Sequence, residues 1–474
     1  PCLECFGRGG TDEGRNLGLR FPSSSVMSKK KARSVSRSTG NCKPVAEKIP
    51  EEDFRKTQST GFVKPSLRLV RDLFAKRYGF AVFALMVFLS GSYWGSSFLS
   101  PGKSFMGGEK NTSAKPASPL TRTSPTLSQP EDYYPAAEFR KQSAILIGCQ
   151  GRLHLTPKLY LDIAKAIDGR VPLFGVVNSQ AQAKRGAELM ESNGLPADAM
   201  RFLVLPCNTM WIRDYAPCIV RYDDDTAIVV DGKYQTRDMR EDRKKDELMG
   251  LELARLLGLP ARSVPLLLEG GNMLSNGDGM LFTTPKTLEL NQKEHYTQKQ
   301  LMSMFDDYLG VRAVFAVGAL QEEPNGHVDM FMSMLGKNLA VVGEITRSGD
   351  PENRAVLDKN ADYLSKISTS TGPIKVVRIP MPPRLGNDWR SYTNVIMANG
   401  VLLMPSYTDV DPAIEDRAEA VYRSLLPGWS VKRINCDKLV FDHGQLHCIS
   451  YHIPHFVSIE GLLDNAIPKV SKDG

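Results

Sequence analysis

Residues 263–283 read SVPLLLEGGNMLSNGDGMLFT, and this stretch decides the fold. The apolar run at 263–268 is too short for a helix and suits a buried strand. Asn276-Gly277-Asp278-Gly279 supplies the residues a tight hairpin takes where φ turns positive, and 280–283 returns as a second strand. Upstream, 241–257 spaces its leucines as an amphipathic helix does. The unit is therefore helix, strand, polar turn and hairpin, with Glu269-Gly-Gly-Asn272 in the polar turn.

Outward from this stretch the unit recurs. A second copy reads helix 298–309, strand 313–317, then strands 328–335 and 339–342 around Gly336-Lys337-Asn338. A third reads helix 352–368, strand 374–379, then 393–397 and 401–404 around Asn399-Gly400. A fourth begins with helix 412–425 and strand 431–434. The spacing of roughly 55–65 residues is that of a blade-like α/β unit stacked around an axis. Polar clusters fall at matching places. They are Trp211-Ile-Arg-Asp214, Glu269-Gly-Gly-Asn272, Asn325-Gly-His327-Val-Asp329, Arg390-Ser-Tyr-Thr-Asn394 and His443-Gly-Gln-Leu-His447-Cys448. Equivalent positions of a cyclic repeat converge on its axis, so these clusters are expected to share one pocket.

The chain has 474 residues, 60 Lys+Arg against 53 Asp+Glu, a net charge of +7 and 8 Cys. Residues 1–132 carry 21 basic and 11 acidic side chains, and 133–474 carry 39 and 42. The basic excess thus belongs to the N-terminal quarter, which excludes a basic nucleic-acid-binding core. Residues 78–99 contain no charged side chain over 22 positions, enough for a membrane-crossing helix, and Lys76-Arg77 precedes them. The expectation is a basic tail at 1–77, a signal anchor at 78–99, a Ser/Thr/Pro-rich stalk at 100–132 and a catalytic domain at 133–474. Positive-inside orientation then places the N-terminus in the cytoplasm and the catalytic domain lumenal or extracellular, tethered to the membrane, with a cleaved signal or organelle-targeting segment as the alternative. The sequon Asn111-Thr-Ser on the stalk fits a lumenal face.

A thiol, an imidazole and converging carboxylates suit nucleophilic catalysis on a planar cation. Asp214 and Asp329 would pair with a guanidinium, Cys448 would attack its central carbon, and His327 would protonate a departing nitrogen and then activate water. No metal, redox step or cofactor is required. A metal reading of His443, His447, Cys448, His452 and His455 fits no paired zinc spacing, and in a strand His447 and Cys448 would point to opposite faces.

The ordered series Trp211-Ile-Arg-Asp-Tyr-Ala-Pro217, Glu269-Gly-Gly-Asn272, Gly326-His-Val-Asp329, Tyr392-Thr-Asn394 and His447-Cys448 resembles that of the bacterial-type peptidylarginine deiminase and agmatine deiminase family, within the guanidino-modifying superfamily. The resemblance spans about residues 133–465. It implies a five-bladed α/β propeller with Cys448 as nucleophile, His327 as acid/base, and Asp214 with Asp329 as the guanidinium clamp. One departure stands out: the family's glycine-rich loop before the cysteine is reduced here to Gly444.

Trp211, Glu269, Asn272 and Asn394 are further substrate-binding candidates, although a brace for the glycine turn fits Glu269 equally well and loop-fixing amides fit the two asparagines. The stretch 234–240 resembles the loop with which peptidylarginine deiminases of this type receive a substrate carboxylate, so Arg237 and Arg240 are candidates for that contact. The Trp-Gly pair of an agmatine-type loop is absent. Arginine or peptidylarginine is therefore favoured, giving citrulline and ammonia. The alternatives are agmatine giving N-carbamoylputrescine, an amidinotransferase, and an inactive tethered binding propeller.

Overall fold

The computed structural model describes residues 134–221, 226–234, 243–345 and 350–468. The chain divides into a unit of residues 1–118, which lies outside the described residues, and a unit of 119–474, which contains everything below. The hairpin at Asn276 forms as its residues require. Asn276 Oδ1 accepts the backbone N–H groups of Asp278 (2.9 Å) and Met280 (3.1 Å), while Gly277 and Gly279 take φ of 65° and 77°. It joins Leu274–Ser275 to Met280–Thr283, and Ala313–Ala316 then pairs in parallel with the second strand.

Among the described residues, five sheets share this plan: an antiparallel pair extended by a parallel strand that a helix returns. Cys218–Arg221 and Ala227–Lys233 are followed by helix Met249–Leu257 and strand Ala261–Leu267. Met332–Gly336 and Leu339–Glu344 are followed by Pro351–Ser365 and Lys375–Pro380. Ile396–Ala398 and Val401–Ser406 are followed by Pro412–Leu425 and Ser430–Asn435. The remaining sheet joins the two ends of the described chain. Ser450–Pro454 pairs antiparallel with Gln142–Gly148, which continues in parallel to Leu173–Val177 and Arg201–Val204.

Local chemistry sets these elements. Helix Gln298–Leu309 starts at a capping box between Thr297 and Gln300 and stops at left-handed Gly310. Its Leu301, Phe305 and Leu309 lie four apart, so they share the face buried against Val264 and Leu266. Asp350 caps helix Pro351–Ser365 by accepting from Asn353 N, with Pro at the first position. Leu173–Val177 is buried along its whole length, as befits a parallel strand covered on both faces.

The departures from the expected elements occur next to the polar clusters. The strand expected at 328–335 begins only at Met332, because Val328–Met330 forms one 3-10 turn. Asn272 Oδ1 takes the Val328 N–H (3.0 Å), which removes that donor from a strand ladder. The helix expected at 241–257 begins at Met249, after a 3-10 turn at Asp246–Leu248. The strand expected at 393–397 is confined to Ile396–Ala398, since the Ser391 hydroxyl engages the N–H groups of Thr393 and Asn394.

The membrane expectation is corrected. No helix among the described residues is long and apolar enough to cross a membrane. The longest, Pro351–Ser365, has 15 residues and rises only about 22 Å against a hydrocarbon core of about 30 Å. Residues 78–99, which suggested the span, lie outside the described residues. The transmembrane anchor, the membrane as a partner and the lumenal or extracellular location thus find no support among the described residues.

Candidate active site

The polar turns that follow the first strands meet around one cavity of about 990 Å³, lined by Trp211, Asp214, Glu269, His327 and Cys448 among others. Asp214 comes from the short helix Ile212–Tyr215, Glu269 from the entry to the turn Gly270–Asn272, and His327 from the entry to Val328–Met330. Cys448 lies two residues before the closing strand Ser450–Pro454. The close approach of these groups depends on Gly271. A Cβ there would lie 2.6 Å from His327 Nδ1, 2.7 Å from Asp214 Oδ1 and 3.2 Å from Asp329 Oδ2.

His327 Nε2 lies 2.9 Å from Glu269 Oε2, and Nδ1 lies 3.6 Å from Asp214 Oδ1. Burial alone would lower this imidazole. The Asp214 and Glu269 carboxylates outweigh burial and the opposing charge of Lys286, and bring the ring up to about 9. Burial would raise Glu269, but the hydrogen bond and charge of His327, together with Lys286, take it down to about 2. Asp214 is pushed up to about 6 by burial, with Glu269 and Asp329 adding repulsion that His327 only partly offsets.

The Cys448 sulfur lies 3.8 Å from Asp329 Oδ2 and 3.4 Å from Asn394 Nδ2. Burial, with the charges of Asp329 and Asp214, raises the thiol well above the usual range. A cation between these carboxylates would reverse the sign of that field. Asp329 Oδ2 also meets His447 Nδ1 at 2.8 Å, whereas Oδ1 is buried with no hydrogen-bond partner among the described residues. An unpartnered buried carboxylate oxygen is costly unless a donor arrives.

The two asparagines differ in position. Asn272 is fully buried behind the turn, with Nδ2 donating to Thr284 and Thr287 (both 2.9 Å) and Oδ1 accepting from Val328 N. Asn394 touches the thiol and accepts the His447 N–H (2.8 Å). The ring of Trp211 packs on Gly444, where a Cβ would come within 2.3 Å of it. Arg237 and Arg240 lie outside the described residues. His452 and His455 do not gather with Cys448, and His443 shares only the wall of its cavity. His443 faces Asp388, His452 meets Arg213, and His455 lies against Phe456.

Three groups of this region carried no sequence signal. Lys286 reaches Glu269 Oε2 (2.6 Å) and His327 Nε2 (3.4 Å) from helix Pro285–Lys293. Glu323 accepts the N–H groups of Asn325, Gly326 and His327 and so shapes the loop into the histidine. Glu138, from the segment ahead of strand Gln142–Gly148, meets Arg213 and His447 behind the thiol.

A cysteine, a histidine and two carboxylates from successive α/β units line one anionic cavity, the groups expected of a guanidine deiminase. The chain belongs to the Porphyromonas-type peptidyl-arginine deiminase family, whose family model matches residues 136–454. A Yersinia pseudotuberculosis relative, named by assignment as an agmatine deiminase, is 21% identical over 366 residues, covering 70% of this chain and 98% of its own. The solved agmatine deiminase of Enterococcus faecalis superposes with a TM-score of 0.61 at 19% identity, over 70% of this chain and 99% of that one. The C. jejuni agmatine deiminase superposes with a TM-score of 0.59 at 17% identity, over 68% and 96%. At these identities the structures share the α/β fold.

Proposed function

We propose that the protein hydrolyses a guanidinium group to a ureido group and ammonia, with Cys448 as nucleophile. The observation that carries this reading is the orphaned Oδ1 of Asp329, buried beside the thiol where a planar cation could donate to it. Asp214 and Asp329 clamp the guanidinium, whose charge lowers the thiol in turn. The Cys448 proton passes to Asp329 Oδ2 as sulfur bonds to the guanidinium carbon. Protonated His327 gives its proton to one nitrogen, the C–N bond breaks, and ammonia leaves a covalent thiouronium. Neutral His327 then takes a proton from water as the oxygen attacks the same carbon. The C–S bond breaks, Asp329 returns its proton to the leaving sulfur, and the hydroxyl proton passes to the released ammonia, leaving the ureido product and ammonium. Trp211 and Glu269 line the approach, and Asn394 holds the thiol turn. The five sheets are arranged as blades of a propeller whose axis is the site, and residues 133–474 form the catalytic domain.

Arginine or peptidylarginine is the leading substrate class, received by Arg237 and Arg240. A cavity of about 990 Å³ is far larger than a guanidinium and leaves room for a peptide. Agmatine is the second reading, favoured by Glu289, Glu294, Glu322, Glu323 and Asp442 on the cavity wall, which suit a distant amine. The test is incubation of the full chain with arginine, a C-terminal-arginine peptide and agmatine, reading ammonia and ureido product, with Cys448→Ser as control. Release from one of the three identifies the class. Ureido formation without added amine excludes an amidinotransferase. No release from any, with Cys448 reduced, or undiminished release by the control, overturns the proposal.

A further inference from the structure

A buried polar cluster lies on the side of Cys448 away from the substrate cavity. It lines a second, smaller cavity of about 100 Å³, together with Asp329. Its members are Glu138, Arg213, His447 and His452. Glu138 forms an ion pair with Arg213, and its Oε2 lies 2.8 Å from His447 Nε2. The other ring nitrogen of His447 lies 2.8 Å from Asp329 Oδ2. Arg213 also meets His452 Nδ1 (2.9 Å), and His452 Nε2 lies 3.1 Å from the Met397 carbonyl.

The two histidines face opposite chemistry. His452 accepts from a guanidinium at one nitrogen and donates to a carbonyl at the other, which is a neutral tautomer. Burial, with the charges of Arg213 and His447, holds it down to about 4 against the pull of Glu138. His447 has a carboxylate at each nitrogen, and carboxylates only accept, so both of its nitrogens must carry a proton. Burial and Arg213 act to lower it, but Glu138 and Asp329 prevail and raise it. The charges then balance behind the thiol: Glu138 and Asp329 against Arg213 and His447. A neutral His447 would leave one buried negative charge uncompensated.

We propose that Glu138 is a positioning residue for the reaction: through a doubly hydrogen-bonded His447 it locks Asp329 Oδ2 beside Cys448, leaving Oδ1 for the substrate cation. Glu138 touches neither substrate nor sulfur and acts from the opposite side of the site. About a fifth of its side chain is exposed. The charged groups facing His447 are Glu138 ahead of the closing sheet, Asp329 in its 3-10 turn and Arg213 in its short helix, with neutral His452 beside them on the closing strand. The inference rests on the deiminase reading for its kinetic part only.

The decisive measurement is the ¹⁵N spectrum of full-length protein labelled at histidine, with His447 assigned by its disappearance in His447→Gln. Two protonated ring nitrogens at neutral pH are expected, and a neutral-tautomer pattern overturns the proposal. Glu138→Gln keeps the shape and removes the charge. It is expected to lower kcat/KM by about tenfold or more, as loss of an outer partner does elsewhere. Because Glu138 keeps His447 protonated, the alkaline limb of the pH–rate profile should move to lower pH. A profile that superimposes on the wild type overturns the proposal. If Glu138→Gln does not fold, the wild-type spectrum still decides. If the wild type deiminates no guanidine, the deimination reading fails while the nitrogen spectrum continues to report on His447.

Discussion

Lys286 holds its ammonium 3.4 Å from His327 Nε2 and shares with that nitrogen a single oxygen, Glu269 Oε2. The cation opposes the two carboxylates that raise His327, so its removal lets the ring rise beyond about 9. Loss of ammonia needs His327 protonated at the outset, a state lost as pH climbs past the ring's pKa. Lys286→Met should therefore move the alkaline limb of the rate profile to higher pH. Steady-state ammonia release from about pH 6 to about pH 10 checks this, and an unmoved limb contradicts it.

Asp214 titrates at about 6, so a guanidinium must pay for its ionisation below that pH. Affinity for a guanidine should rise between about pH 5 and about pH 7, with a proton released on binding at the lower end. Calorimetry on a Cys448→Ser background measures both. Asp214→Asn should weaken binding by about tenfold or more and abolish this pH dependence.

Asn272 satisfies four polar partners behind the histidine turn and does not line the substrate cavity. Asn272→Ala should cost about 2 kcal/mol of stability, because the Val328 N–H and two buried hydroxyls lose their partner. KM should change by less than about twofold while kcat falls as His327 and Asp329 lose their support. Thermal melts with paired kinetics separate this from a substrate contact, which would raise KM instead.

Gly444 is where the loop before the nucleophile meets Trp211. Gly444→Ala must displace either the indole or the loop leading to Cys448. A displacement near 1 Å costs roughly a hundredfold in rate. The expected result is a large loss in kcat with little change in melting temperature, measured side by side.

The architecture was legible where local chemistry and global packing agree. The Asn276-Gly277-Asp278-Gly279 hairpin forms at the residues that specify it, and helix 298–309 matches its apolar spacing. Strand boundaries were misread next to the polar turns, where side chains outcompete the ladder: Asn272 takes the Val328 N–H, and Ser391 takes two more. The turn residues Asp214, Glu269, His327 and Cys448 were visible because each sits in a short motif at a matching place in the repeat. Glu138 and Lys286 were not, since neither belongs to a motif and their contacts span 309 and 41 residues of chain. His447 was visible only as the neighbour of Cys448. It turns away from the thiol's cavity into the smaller one. The uncharged run at 78–99 was read from length and hydropathy alone and lies outside the described residues.

The pairing of Ser450 with Ile147 joins residues from opposite ends of the catalytic chain. Such long-range contacts form late, because the intervening loop must be closed before they repay its entropy. Cys448 sits immediately before that last strand, and its carboxylate and amide neighbours come from units already built. A polypeptide cut between Cys448 and Ser450 therefore carries the thiol without the strand that anchors it beside Asp329 and Asn394.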